Sequence, residues 1–144
     1  MSESCEATIT LTGDLHARPA GALSVAAAGF SSAVQLAVGG GTVTIATAGG
    51  TDDGRLGTSI DKVSAAIRRA DTGAGVVILP DLGSSVLTVR TLLADELDDL
   101  PGPLEVADAP FVEGAVAAAV TAAAGGSLKA VLDAAQEARH ARKL

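Results

Sequence analysis

Apolar and polar positions alternate from residue 7 to residue 11, with Thr8 and Thr10 between Ala7, Ile9 and Leu11, and this two-residue period predicts a strand. Gly13-Asp14 breaks it. Pro19 then stands where a helix accepts proline, in its first turn, and residues 20–30 supply the helical run, with Gly29 near its end. Strand character returns over residues 33–38, Gly39-Gly40-Gly41 marks a turn, and residues 42–46 form a second short strand. The opening of the chain therefore reads β-α-β-turn-β.

A glycine-rich acidic loop follows at residues 48–54, and Thr58-Ser59-Ile60-Asp61 has the look of a capping box. Ile60, Val63, Ala66 and Ile67 recur at helical spacing behind it. Residues 75–79 are an unbroken apolar run, the signature of a strand buried on both faces. Pro80-Asp81-Leu82-Gly83 punctuates the run, and Ser84 opens a helix through Val86, Leu87, Val89, Arg90 and Leu93. Pro101-Gly102-Pro103 turns the chain into a strand at residues 104–107, and a helix over about 112–124 ends at Gly125-Gly126. Ser127 caps a last amphipathic helix with Leu128, Val131, Leu132 and Ala135 on one stripe. Strands alternating with helices predict a three-layer α/β fold with a mainly parallel sheet, the hairpin at residues 33–46 being antiparallel. The composition changes near residue 46, which divides the chain into segments 1–45 and 46–144.

Charge and composition narrow the functions. Ten basic and seventeen acidic side chains leave a net charge of −7, which repels nucleic-acid backbones. Phe30 and Phe111 are the only aromatics among 144 residues, too few for a base-stacking platform. One cysteine, Cys5, and two separated histidines, His16 and His140, build neither a disulfide framework nor a metal cluster. Residues 1–6 are polar and acidic rather than basic then apolar, so no secretory signal is expected. Residues 114–126 are too short a low-polarity stretch to span a bilayer, so the expected home is the cytoplasm. Arg139, His140, Arg142 and Lys143 read as a solvated helix end whose cations oppose the dipole.

The sharpest local chemistry is Leu15-His16-Ala17-Arg18-Pro19-Ala20. It sets a histidine between a strand end and a helix N-terminus, where amides such as that of Ala17 form an anion site. The helix dipole disfavours an imidazolium, so the His16 ring stays neutral and nucleophilic near neutral pH. After phosphorylation the same amides and Arg18 can hold the phosphoryl oxygens. On spacing alone, a lone His beside an Arg is weak evidence, and His16 reads more readily as a polar loop residue and Arg18 as a surface charge. Gly49-Gly50-Thr51 and Gly83-Ser84-Ser85 are further candidate phosphate-binding segments, although neither is a P-loop or a dinucleotide fingerprint. Asp81 reads alternatively as a turn residue and helix cap, and Asp52-Asp53 as a solvated acidic loop.

The string LHARPA followed by GALSVAAAGFSSAVQL resembles the first half of the histidine-containing phosphocarrier protein HPr over residues 6–45. The resemblance implies that His16 takes phosphate on its ring Nδ1 and that Arg18 steadies it. Residues 46–138 resemble a different family, through AGGTDDGRLGTS, ILPDLGSSVLT and VADAPFVEGAVAAAV. These strings look like the mannose-type enzyme IIA domain of the phosphotransfer subunit of the phosphoenolpyruvate-dependent dihydroxyacetone kinase. That body normally opens with its own strand, histidine and helix; here the HPr-like β-α-β segment stands in their place, and HPr's second half is missing.

The two resemblances together imply a hybrid phosphotransferase component of the phosphoenolpyruvate-glycerone type. Phosphate would pass through His16 from an enzyme I or HPr-type donor towards the nucleotide-binding subunit of dihydroxyacetone kinase, with no resident cofactor. They also imply that Asp81 orients the active histidine and that the chain forms a homodimer. Two other readings remain open on sequence. One is a non-catalytic module that docks on kinase subunits; the other is an α/β domain that binds a small anion through its glycine-rich loops.

Overall fold

The structure is a computed structural model that describes residues 34–38, 41–81 and 83–142. It begins with β1 (Val34–Val38) and β2 (Gly41–Ile45), an antiparallel pair in which Val34 faces Ile45 and Val38 faces Gly41. There follow α1 (Ile60–Ala70), β3 (Val76–Ile78), α2 (Gly83–Asp95), a 3-10 turn (Leu97–Asp99) and β4 (Leu104–Val106). α3 (Phe111–Ala123), α4 (Leu128–Glu137) and a second 3-10 turn (Ala138–His140) complete the order.

Local chemistry accounts for the boundaries. α1 starts at Ser59, whose hydroxyl accepts the Lys62 amide at 3.2 Å, and Asp61 sits in its first turn with Arg68 and Arg69 in its last. α4 begins the same way, Ser127 accepting the Ala130 amide at 3.3 Å. Both caps were legible in the sequence. Gly75 takes φ +98 and admits no side chain: a Cβ there would lie 2.7 Å from the Pro103 carbonyl oxygen. That close approach lets the Val76 amide donate to Pro103 O at 3.0 Å and starts the pairing of β3 with β4.

β3 and β4 run parallel, Val76 opposite Leu104 and Ile78 opposite Val106, with α2 as the crossover. Successive side chains of β3 serve opposite faces. Val76 and Ile78 join Val63 and Ile67 of α1, Val89 and Leu92 of α2, and Leu100. Val77 and Leu79 pack instead with Ala107, Ala118 of α3, and Val131 and Ala135 of α4. Helices thus cover both faces of the strand pair, but of the apolar run at residues 75–79 only Val76 is fully buried, while Val77, Ile78 and Leu79 stay half-buried, less than the sequence leads one to expect.

The sheet departs from expectation in extent. Among the described residues, parallel pairing is confined to β3–β4 and an isolated bridge between Gly50 and Thr58, while β1–β2 form a separate antiparallel ribbon. The ribbon lies against α3 and approaches α1. Strands joined by a tight turn can pair only antiparallel, whereas a parallel neighbour needs a crossover of α2's length. The fold is therefore mixed α/β with a small parallel sheet. The expected strand and helix of residues 7–30 lie outside the described residues.

Candidate functional site at the carboxyl edge of the strands

Chain direction gathers three helix starts at one edge. β3 leads into α2 and β4 into α3, so both helices begin at the carboxyl ends of the parallel strands. α1 runs back to begin β3, which returns its own N-terminus, and the loop before it, to the same edge. In open α/β sheets this is where ligands sit.

The loop before α1 is cross-braced rather than merely solvated. The Thr51 amide donates to the Arg55 carbonyl at 2.9 Å, and the Gly54 amide to Thr51 O at 3.0 Å. The Thr51 hydroxyl donates to Asp53 Oδ1, and Arg55 Nε donates to Asp53 Oδ2 at 2.7 Å. These contacts, the Thr51 hydroxyl first and Arg55 after it, hold the Asp53 carboxyl below its usual range despite an opposing desolvation effect. Asp52 accepts from the Ser59 hydroxyl at 2.6 Å, so one hydroxyl both caps α1 and anchors the loop. Of the proposed phosphate-binding amides, that of Thr51 is engaged within the loop, and Gly49 is exposed with open space around its Cα.

Two cations that sequence reasoning missed hold the strand-side half of this loop. Lys62 Nζ donates to Thr51 O at 2.8 Å and faces Gly49 O at 3.4 Å, while Arg69 Nη2 donates to Thr47 O at 3.3 Å. They line a cleft of about 130 Å³ together with Thr47, Ala48, Gly49 and Ala65. Seven residues apart on α1, the two cations share a helix face, a spacing readable from sequence once the helix is known; the backbone they meet is not.

Asp81 lies at the same edge, where its amide donates to Ser85 Oγ at 3.1 Å and Ser85 Oγ donates back to Asp81 Oδ1 at 2.7 Å. The pair brackets the start of α2, with Gly83 and Ser84 exposed at its first two positions. Beyond β4, Arg139 donates to the Asp108 carbonyl and lies 3.2 Å from Asp108 Oδ2. The basic chain end is therefore not wholly solvated: Arg139 staples the loop that opens α3. Leu56 in the loop before α1, Leu87 on α2, and Phe111 and Val112 at the start of α3 present exposed apolar surface beside these segments. The structure brings the Gly49–Ser59 loop, Asp81–Ser85 and Asp108–Pro110 to one edge. His16, Ala17 and Arg18 lie outside the described residues.

Among the described residues, no group of His, Cys, Asp or Glu side chains is arranged to hold a metal ion, and no helix is long and apolar enough to cross a membrane.

Comparison with known proteins places this geometry. A family model described as the PTS system fructose IIA component, EIIA-man, matches residues 24–132, and so takes in residues 24–45 of the segment that the sequence reading assigned to HPr. A protein of Providencia stuartii named as the phosphoryl donor subunit DhaM of PEP-dependent dihydroxyacetone kinase is 38% identical over 102 residues. That match covers 69% of this chain but only 21% of the relative, so the chain spans about a fifth of that protein's length. A Listeria innocua DhaM of the second PEP-dependent dihydroxyacetone kinase is 38% identical over 93 residues, covering 65% of this chain and 74% of its own. Among solved structures, a protein of unknown function, EF1359, aligns with TM-score 0.53 and 37% identity over 63% of this chain and 70% of its own.

Proposed function

Because the chain belongs to the fructose IIA component family of the phosphotransferase system, we propose that it is a phosphohistidine carrier that relays phosphate towards dihydroxyacetone kinase. The observation that carries the reading is the family match over residues 24–132 joined to relatives whose names state phosphoryl donation to that kinase. The carboxyl edge supports it. Transfer between two proteins needs an open face with apolar surface around the reacting group rather than a deep pocket. The described edge offers three helix N-termini and the exposed side chains of Leu56, Leu87, Phe111 and Val112.

In this reading the neutral His16 Nδ1 attacks the phosphorus of a phosphorylated donor protein as the donor's own P–N bond breaks. Arg18 and the amides from Ala17 onward offset charge on the equatorial oxygens. Asp81, by the IIA resemblance, accepts from the ring's other nitrogen and fixes its tautomer. The second transfer repeats the displacement, with the kinase's nucleotide-binding subunit as acceptor. Incubation with phosphoenolpyruvate, enzyme I and HPr should yield an acid-labile, base-stable phosphoprotein, and His16→Ala should abolish the label. Unlabelled wild type, or labelling that survives His16→Ala, would overturn the assignment.

One observation favours a second reading. The family match begins at residue 24, downstream of His16. A IIA body that docks on the kinase without turning over phosphate is consistent with that start. Kinase-subunit binding undiminished in His16→Ala, with wild type refractory to labelling, selects this alternative.

A further inference from the structure

The cleft between residues 47–49 and the face of α1 stands out electrostatically. In a chain with seven more acids than bases by net charge, the only charged side chains lining it among the described residues are Lys62 and Arg69, both cationic. Among the described residues neither makes an ion pair, whereas Asp53, Asp133 and Asp108 pair with Arg55, Lys129 and Arg139. The partners of Lys62 and Arg69 are instead the carbonyls of Gly49, Thr51 and Thr47. Neutral carbonyls use some of the donors but cancel no charge, and Lys62 and Arg69 bring three and five N–H groups respectively.

Geometry selects what would cancel the charge. Thr47 and Gly49 are two residues apart, so the carbonyls that receive the two cations are separated by at most about 7 Å of extended chain. Two long cationic side chains that reach carbonyls this close together can converge on one phosphoryl group, each meeting a different oxygen at ordinary hydrogen-bond length. Ala48 and Ala65 line the space between the cations with methyl groups, and the volume of about 130 Å³ leaves room for a short carbon chain beside the phosphoryl group. We propose that this cleft binds a small phosphate monoester, its phosphoryl group bridging Lys62 and Arg69 and its carbon chain lying on Ala48 and Ala65.

The site is independent of His16 and of the relay reading. It uses side chains of α1, and it would tie the glycine-rich loop to that helix when filled. The test is calorimetric titration at low ionic strength with glycerol 1-phosphate, inorganic phosphate and, as the uncharged control, glycerol. The amide NMR signals of Ala48 and Ala65 report where the ligand goes. Saturable binding of glycerol 1-phosphate that moves those two signals, and weakens about tenfold in Arg69→Ala and in Lys62→Met, supports the site. Arg69 lies exposed in the last turn of α1, so its loss leaves the core intact. Absence of saturable binding, equal binding in both variants, or binding lost in His16→Ala but kept in Arg69→Ala would overturn it. The last result would assign the phosphate to the relay histidine. Tighter binding of inorganic phosphate than of the ester would remove the role given to Ala48 and Ala65.

Discussion

Asp53 shows how an exposed carboxylate acquires a structural part. The Thr51 hydroxyl and then Arg55 favour its charged form, so its folded-state pKa lies below the ordinary 3.8. Because the folded value is depressed, the contribution of this charge to the loop is fully present above that ordinary value and fades as pH falls through the folded one. Carboxyl-detected NMR should find Asp53 titrating below 3.8, and Thr51→Val should return it towards 3.8. An unchanged Asp53 titration in the variant would show that the hydroxyl is not the cause. Thr51, Asp52 and Asp53 were visible in the sequence as an acidic, glycine-flanked turn. Their mutual bonding was not, because it depends on Gly50 at φ +76 and Gly54 at φ +82 curling the loop onto itself.

α3 and α4 illustrate how an alanine-rich element pair is specified by what it omits. Gly114 lies in the first turn of α3, and a Cβ there would fall 2.9 Å from Ala109 Cβ, 3.2 Å from Ala135 O and 3.3 Å from Leu79 Cδ2. Replacing a helical glycine by alanine ordinarily gains up to about 1 kcal/mol. Overpacking against neighbours that cannot swing away costs about 1–3 kcal/mol and wins. Gly114→Ala should therefore lower stability by about 1–2 kcal/mol in denaturant unfolding. Gly83→Ala, whose added methyl meets nothing within 4 Å, should be neutral or slightly stabilising. Equal effects of the two substitutions would contradict this packing account. Helix placement here was legible to within a residue or two, since period and caps are local; the closeness of α3 to α4 is a property of the pair.

Across the molecule, β3 separates two apolar clusters, and Leu92, at 1% exposure, is the most buried large side chain of the one facing α1 and α2. Leu92→Ala should cost about 2–5 kcal/mol through lost burial and a residual cavity. A domain of this size has a total stability of about 5–15 kcal/mol, so the variant's melting temperature should fall steeply. A small change would mean that the cluster collapses around the gap.

Periodicity, caps and turn residues depend on neighbours within about one turn of chain, and among the described residues they specified the helices, the short apolar strands and the antiparallel ribbon in advance. The strings around residues 48–59, 78–88 and 106–120 likewise carried the family from the sequence alone. Contacts between distant residues were settled only on folding: Arg139 with Asp108, Arg69 with Thr47, and Lys62 with Gly49 and Thr51. A long cation has no local preference for a carbonyl tens of residues away; it finds one when packing of α1 and α4 brings that backbone within reach. The width of the parallel sheet was settled in the same way, because a strand's ladder partner is chosen by crossover geometry and face burial rather than by its own residues.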